Sequence, residues 1–229
     1  MGQCKPLWII VGGRMRLGKV LAEDLARDHD LVLTSSTSWE GEAWASVHRR
    51  WTWKAQDPGV ADRMSEDLGC LGRPLAGAVL VAGGFADQPL GSWTPEDLAA
   101  TWTLDLSFPM LAAQAIAGSL EEGSCMQFLL DTAIHRPWLR RLPYSVAKAG
   151  LGALVPGLAR ALAPKVRVVG HALGTLLPSE GSDPGVLASA TLLGRIGDPA
   201  DLARAVRFAA ESPFLTGEIL TLDGGQSRV

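Results

Sequence analysis

Short apolar runs alternate with longer amphipathic segments along this 229-residue chain. The apolar runs have the length of β-strands and lack a regular alternation of apolar and polar residues, which indicates strands covered on both faces. They span residues 7–11, 31–34, 78–82, 126–130, 166–169 and 219–222. One more strand is expected between the second and third of these, before Asp57.

The amphipathic segments between these runs predict helices over residues 17–27, 95–117, 144–163 and 199–211. Two helix starts are marked by Thr94 before Pro95 and by Asp198 before Pro199, each a capping side chain followed by proline at the first helical position. Strands joined by right-handed helical crossovers form a parallel sheet with helices on both faces. The pattern therefore predicts one α/β domain over residues 1–229, with about seven strands.

One segment lacks clear periodicity. Residues 174–194 are rich in Gly, Ser and Pro. A long connection without regular structure in an α/β domain often covers a binding site, so we predict a mobile lid here.

Composition narrows the class of protein. An apolar fraction of 47% can build a buried sheet, and a net charge of −3 without a basic stripe argues against nucleic acid or an anionic membrane as partners. Three widely spaced cysteines and four histidines show no metal-ligand spacing, so no metal site is expected. The first apolar run is too short for a membrane span or a signal peptide, and a cytoplasmic protein is expected.

The first predicted strand runs through a glycine turn into a helix. Such a turn lets the backbone approach a pyrophosphate, whose charge is stabilised by free N–H groups and the helix dipole. Two arginines add positive charge, although a glycine turn between a strand and a helix is also ordinary structure. The predicted cofactor-binding residues here are Gly12, Arg14, Arg16, Leu17 and Gly18.

The second predicted strand ends in hydroxyl side chains. Ser35, Ser36 and Thr37 occupy the place where NAD-selective proteins present a carboxylate to the ribose. Hydroxyls with a nearby arginine suit a 2′-phosphate, so we predict NADPH in preference to NADH, with a plain polar loop as the alternative. Asp57 is a candidate acceptor for the adenine amino group, or a surface turn residue.

The only tyrosine, Tyr144, precedes Lys148 by four residues, which places both on one helix face. An ammonium group near a phenol favours the phenolate, and a tyrosine with a lowered pKa can relay protons. Taken alone, such a pair is more often an exposed helix contact.

Together, the glycine turn, the Tyr-x-x-x-Lys helix and the late Asp223-Gly224-Gly225 resemble the short-chain dehydrogenase/reductase family over nearly the whole chain. The resemblance implies a Rossmann-type doubly wound parallel sheet and a homotetramer or homodimer. It also implies that Tyr144 is the catalytic acid/base and that Lys148 lowers its pKa and holds the nicotinamide ribose. Further cofactor contacts are implied at Ala82, Gly83 and Gly174.

Several departures from the family pattern are similar to its pteridine-reducing members. Arg16 replaces a glycine of the turn, and Asp131 replaces a serine thirteen residues before Tyr144, as in the pteridine reductase branch that includes dihydromonapterin reductases. Residues 81–86 resemble quinonoid dihydropteridine reductase, which makes Phe85 a candidate platform for a flat ring, or else a core residue. An aspartate suits proton transfer to a ring nitrogen better than support of a carbonyl oxygen; the alternative for Asp131 is a turn cap.

The resemblance thus implies an NADPH-dependent reductase that converts a dihydropterin, such as dihydromonapterin or dihydrobiopterin, to a tetrahydropterin. Tyr144, Lys148 and Asp131 would supply the proton, and Phe85, Asp131 and Tyr144 would contact the pterin. Alternatives are a quinonoid dihydropteridine reductase, a carbonyl reductase that tolerates Asp131, and a non-catalytic NADP(H)-binding sensor or scaffold.

Overall fold

Seven strands form one parallel sheet in the computed structural model, which describes residues 5–39, 47–81, 83–179 and 181–229. In chain order they are β1 (Leu7–Val11), β2 (Asp30–Ser35), β3 (Val47–Thr52), β4 (Leu75–Leu80), β5 (Leu120–Asp131), β6 (Arg167–Leu173) and β7 (Ile219–Leu222). Their spatial order is β3-β2-β1-β4-β5-β6-β7. The order reverses between β1 and β4, and this reversal opens a crevice at the carboxyl ends of the strands.

Helices cover both faces of the sheet. They are α1 (Arg16–Leu25), α2 (Val60–Gly69), α3 (Pro95–Trp102), α4 (Phe108–Ala117), α5 (Leu142–Leu162), α6 (Pro184–Ser189) and α7 (Pro199–Glu211). One core layer packs α2, α4 and α5 against the sheet, and a second packs α1 and α7 against the opposite face. The predicted doubly wound parallel sheet is therefore confirmed.

The two predicted helix starts are also confirmed. The Thr94 hydroxyl accepts a hydrogen bond from the Asp97 N–H at 3.1 Å, and the Asp198 carboxylate accepts one from the Ala200 N–H at 2.8 Å. Both starts form a reciprocal capping box with the acidic residue three positions later. Each cap satisfies N–H groups that have no partner inside the helix.

The long helix predicted over residues 95–117 is interrupted. A π-helical turn at Thr103–Ser107 separates α3 from α4. It turns Asp105 inward, where the residue is 2% exposed. Such turns add a residue to the helical register without breaking the helix, so the pattern of apolar residues does not reveal them. They often lie at functional sites.

Other boundaries differ from the sequence predictions. The strand predicted over 78–82 is β4, which ends at Leu80, and Ala82 lies outside the described residues. The segment 174–194 is not wholly irregular, because it contains α6, whose start is capped by Asp183. No helix among the described residues has the length and hydropathy to span a membrane.

His171 on β6 and Gln127 on β5 form a buried polar pair that makes a testable prediction. The pair is linked to α7 because Gln127 Nε2 donates to the Val206 carbonyl at 3.1 Å. His171 Nε2 lies 2.7 Å from Gln127 Oε1, and burial lowers the pKa of His171 from 6.5 to about 4. Since the unfolded chain takes up this proton at higher pH than the folded chain, stability is lost as pH falls from 6.5 through 4. Urea unfolding should lose about 3 kcal/mol over that interval from this group. A His171→Gln variant should show a flatter pH dependence, and equal slopes would contradict the assignment.

Candidate active site

The glycine turn after β1 carries two residues with positive φ. Gly12 has φ 85°, and Arg16 has φ 50°, a conformation that is strained for a residue with a side chain. A Cβ atom on Gly18 would lie 2.1 Å from the Gly12 carbonyl oxygen. The turn is tied to β2 by the Gly13 N–H, which donates to the Thr34 carbonyl at 3.0 Å. The first turn of α1 holds no acidic residue, so it suits an anion.

A cleft of about 400 Å³ lies over this turn, at the reversal of strand order. Most of the predicted cofactor residues line it: Gly12, Arg14, Arg16, Leu17, Ser35, Ser36 and Gly83. Gly18 is buried directly beneath the turn. The structure therefore brings the two separated sequence regions, the turn and the end of β2, into one cleft.

Arg14 and the hydroxyls after β2 form one cluster. An Arg14 guanidinium N–H donates to the Thr37 hydroxyl, and the Ser35 hydroxyl lies 3.2 Å from the same oxygen. Hydroxyls and a guanidinium at this end of the cleft are the donors that a phosphate group accepts from.

Arg16 points elsewhere. Its Nη2 donates to the carbonyl oxygens of Leu177 and Pro178, at 3.0 and 3.4 Å, in the segment after β6. Of the two arginines predicted to favour a 2′-phosphate, only Arg14 lies at the hydroxyl cluster. Arg16 instead joins the glycine turn to the predicted lid.

Asp57 is not brought to the cleft. Its carboxylate accepts hydrogen bonds from the Gly59 N–H at 2.9 Å and from Arg63 at 3.2 Å, so it caps the turn before α2. The residues of this loop that line the cleft are Trp53, Ala55 and Gln56. The turn interpretation of Asp57 is thus the one that its contacts support.

Tyr144 and Asp131 meet at the carboxyl end of β5. The Tyr144 hydroxyl donates to Asp131 Oδ2 at 3.1 Å, and the tyrosine is 5% exposed. Asp131 also caps a short 3-10 turn, because its Oδ1 accepts from the Ala133 N–H at 2.7 Å. One oxygen of Asp131 therefore caps the turn, as the alternative interpretation expected, and the other lies beside the tyrosine hydroxyl.

Lys148 is buried beside a second carboxylate. Its Nζ lies 3.7 Å from Asp105 Oδ1, which also accepts the Gly84 N–H at 2.8 Å. A Cβ atom on Gly83 would lie 2.8 Å from both Lys148 Nζ and Asp105 Oδ1. The close approach of the loop after β4 to this ion pair therefore favours glycine at position 83, because a Cβ atom there would displace one of the two side chains.

The electrostatics of the site correct one prediction. Burial, with the negative charges of Asp131 and Asp105, raises the pKa of Tyr144 well above its usual value. Burial also lowers the pKa of Lys148, against the opposing effect of Asp105. The expectation that Lys148 lowers the pKa of Tyr144 is not met in this structure, because burial and two carboxylates raise that pKa and the positive charge that opposes them is Arg141. The phenol is held protonated.

Phe85 stands beside the tyrosine at the mouth of a second cavity. The two rings meet edge to face with centroids 5.1 Å apart, and Phe85 remains 41% exposed. The Arg141 guanidinium lies 4.1 Å from the centre of the Phe85 ring. Phe85 is thus not a core residue, and its ring is accessible to a ligand.

This second cavity has a volume of about 700 Å³. It is lined by Phe85, Asp131, Tyr144 and Gly174, and on its outer side by Leu176, Leu177 and Leu187 of the segment predicted to be a lid. Arg16 and Leu17 line both cavities, so the two meet at the glycine turn. A cleft for a dinucleotide thus leads directly to a partly apolar chamber with a tyrosine and a carboxylate in its wall.

Three residues near the chemistry were not among the predicted site residues. Asp105 was only an inexact match to a family position, and Trp138 gave a weak signal through its place between Asp131 and Tyr144. Arg141 belongs to a group of arginines that the sequence suggests as a solvated basic patch, or as a site for an anionic substrate tail. The structure brings all three to the site. Among the described residues, no group of His, Cys, Asp and Glu side chains could hold a metal ion.

The fold and the site define a dinucleotide-binding oxidoreductase. Residues 55–227 match the family model described as enoyl-(acyl carrier protein) reductase. The chain is 26% identical to carbonyl reductase family member 4 of Danio rerio, over 96% of this chain and 97% of that protein. It is 31% identical to an oxidoreductase of Mycobacterium tuberculosis, over 95% and 90% of the two chains.

Solved structures agree on the fold. A blue fluorescent protein from a metagenomic library, in complex with NADPH, superposes with a TM-score of 0.88 at 24% identity over 99% of both chains. A short-chain dehydrogenase/reductase from Serratia marcescens gives 0.87 at 21% identity over 98% of both. The chain belongs to the short-chain dehydrogenase/reductase family and has that family's NAD(P)-binding fold.

Proposed function

We propose that this protein uses NADPH to reduce a dihydropterin to a tetrahydropterin. The observation that carries the proposal is the pair formed by Tyr144 and Asp131, whose hydroxyl and Oδ2 lie 3.1 Å apart in the wall of the second cavity. A hydroxyl and a carboxylate side by side match the edge of a heterocycle that has both a ring nitrogen to protonate and an N–H to donate. Phe85 supplies an accessible aromatic face for the flat ring.

The first cleft fits a nicotinamide dinucleotide. The glycine turn would hold the pyrophosphate, Gly83 and Trp53 lie in the wall of the cleft, and the Lys148 ammonium is buried beside Gly83. The Arg14 cluster and the absence of a carboxylate among Ser35, Ser36 and Thr37 favour a 2′-phosphate, hence NADPH. The similar metagenomic blue fluorescent protein was also solved with NADPH.

Reduction of a C=N bond requires a hydride at carbon and a proton at nitrogen. NADPH held in the first cleft would supply the hydride. A phenol is protonated at neutral pH, and the raised pKa of Tyr144 extends this to higher pH, so the hydroxyl has a proton that it would donate to the ring nitrogen. In this structure the Tyr144 proton is donated to Asp131 Oδ2, so on substrate binding the hydroxyl would turn to donate it to the ring nitrogen, and Asp131 Oδ2 would accept from the N–H at the substrate edge.

The proposal is tested by following NADPH and NADH absorbance with a panel of substrates: dihydromonapterin, dihydrobiopterin, dihydrofolate, quinonoid dihydropterin and a simple ketone. NADPH-dependent turnover of a 7,8-dihydropterin is expected, with Asp131→Ala lowering kcat/KM by about 10²-fold or more. Asp131→Ser, which restores the residue usual in the family, should shift the preference towards the ketone. Turnover of the quinonoid form alone would identify a quinonoid dihydropteridine reductase.

A carbonyl reductase is the second candidate, because the similar Danio rerio protein carries that name. Rapid ketone reduction that Asp131→Ala leaves unchanged would favour it. NADPH binding without turnover of any of the five substrates would instead indicate a sensor or scaffold.

Arg14 should determine the choice between the two cofactors. In Arg14→Leu, loss of one charge-assisted hydrogen bond is expected to raise the KM for NADPH about tenfold to hundredfold and to leave NADH little affected. Arg16→Leu is the comparison, since Arg16 also lines the cleft but bonds to the segment after β6, so its loss should change the KM for NADPH and the KM for NADH alike. If Arg14→Leu leaves the ratio of the KM for NADPH to the KM for NADH unchanged, that result would contradict a 2′-phosphate site at this cluster.

We also propose that the protein forms a homo-oligomer. Two apolar surfaces support this: Trp102, Met110 and Val146 are 40–59% exposed on α3, α4 and α5, and Phe208 and Phe214 are exposed on and after α7. Light scattering should give a dimer or tetramer mass, and Val146→Glu should reduce it. A monomeric wild-type chain would contradict the proposal.

A further inference from the structure

The two oxygens of Asp131 have different partners. Oδ1 accepts two N–H groups, from the Ala133 backbone at 2.7 Å and from Trp138 Nε1 at 2.8 Å. Oδ2 accepts the Tyr144 hydroxyl at 3.1 Å. A carboxylate oxygen has about two acceptor positions, so these contacts occupy both positions of Oδ1 and one of Oδ2. The remaining position belongs to the oxygen beside the tyrosine.

Trp138 is itself fixed to the helix that carries Tyr144. Its backbone N–H donates to the Ser145 hydroxyl at 3.1 Å, and its carbonyl accepts the Arg141 N–H at 2.8 Å. Its side chain lines the substrate cavity on one side and a smaller cavity of about 240 Å³ on the other. The indole is therefore a fixed wall between two spaces, and its N–H group points to Asp131.

We propose that Trp138 is a positioning residue, which holds Asp131 Oδ1 so that Oδ2 is the oxygen presented to Tyr144 and to the substrate. The role rests on the proposed function. With Oδ1 occupied, the carboxylate cannot rotate freely, and one acceptor position remains next to the tyrosine hydroxyl. The pair then selects a substrate that presents an N–H donor beside the nitrogen to be protonated. A ketone has no such donor and gains nothing from the second contact.

Trp138→Phe removes the indole N–H and keeps an aromatic ring. We expect it to lower kcat/KM for the dihydropterin by about tenfold to hundredfold, because one hydrogen bond to a charged group is lost. Ketone reduction should fall by a smaller factor than dihydropterin reduction, because a ketone has no N–H group for Asp131 Oδ2 to accept. Trp93→Phe is the matched control, since Trp93 Nε1 donates to the Gln88 carbonyl at the same 2.8 Å and Trp93 lies outside the substrate cavity.

A double-mutant cycle distinguishes positioning from a general structural role. If Trp138 acts through Asp131, adding Trp138→Phe to the Asp131→Ala variant should lower kcat/KM for the dihydropterin very little further. If Trp138 only stabilises the wall of the cavity, Trp138→Phe should lower kcat/KM by the same factor in both backgrounds. That result would overturn the proposal. A dihydropterin kcat/KM within twofold of the wild-type value in Trp138→Phe would overturn it as well.

A second readout needs no substrate. Tyr144 is the only tyrosine, so tyrosinate absorbance after a rapid pH jump reports its ionisation alone. Asp131→Ala should lower the pH at which tyrosinate forms, because the negative partner is gone. Trp138→Phe should move that pH part of the way in the same direction, and Trp93→Phe should not.

A failure of the proposed function can therefore be distinguished from a failure of the positioning role of Trp138. Absence of dihydropterin turnover in the wild-type protein would refute the proposed function, and the tyrosinate titration would then decide the role of Trp138. An unchanged titration in Trp138→Phe would refute the positioning role, even in an enzyme that reduces dihydropterins rapidly.

Discussion

Tyr144→Phe is expected to lower kcat by about 10²- to 10⁴-fold, because it removes the hydroxyl that we propose as the proton donor to the reacting nitrogen. The change leaves the ring in place, so the edge-to-face contact with Phe85 should persist. The measurement is single-turnover NADPH oxidation with a dihydropterin. The affinity for NADPH, followed by tryptophan fluorescence, should change little, and it serves as the control for folding and cofactor binding.

The pH dependence of the wild-type rate should agree with this assignment. Since the pKa of Tyr144 is raised by burial and by two carboxylates, the protonated acid persists above pH 10, and the rate should not fall there through loss of this proton. Near wild-type turnover in Tyr144→Phe would show that another group donates the proton.

Asp105→Leu is expected to produce the largest loss of stability. It removes the carboxylate that lies 3.7 Å from the Lys148 ammonium and leaves that buried charge without its partner. Breaking a buried ion pair in this way costs about 3–5 kcal/mol, which urea unfolding at neutral pH would measure. Asp105→Asn should lose less, because the amide oxygen can still accept the Gly84 N–H.

The matched control is the double variant Asp105→Leu/Lys148→Met. Replacing both members of a buried pair by apolar side chains is often nearly neutral, so the double variant should recover most of the lost stability. It should remain inactive, since Lys148 is lost. Unfolding of Asp105→Leu at the wild-type urea concentration would show that the pair does not stabilise the fold.

The sequence predicted correctly several features that lie within a single helix or strand. The apolar runs predicted β1 and β7 with the bounds that the structure has, and Thr94 and Asp198 predicted two helix starts. The spacing of Tyr144 and Lys148 placed them on one helix, α5. These features depend on the chemistry of neighbours along the chain and on the helical and strand periods, which the sequence contains directly.

The composition of the site was predicted only in part. The glycine turn, the hydroxyls after β2 and the pair Tyr144 and Asp131 lie where the sequence placed them, because the carboxyl ends of parallel strands meet at one edge of the sheet. Asp57 lies outside the cleft, and Arg14 and Arg16 point to different partners. The direction in which a long side chain turns is set by neighbours that are distant in sequence.

Contacts between separated segments were decided by the tertiary structure alone. The π-helical turn brings Asp105 to Lys148, and the loop before α5 brings the Trp138 indole to Asp131. The same packing reverses the expected shift of the Tyr144 pKa, because burial and two carboxylates act on it together. Periodicity and spacing describe one element at a time, whereas desolvation and charge depend on everything packed around a group. The sequence therefore determined the groups in the glycine turn and at the ends of the strands, and packing decided which further groups join them and how all of them are paired and charged.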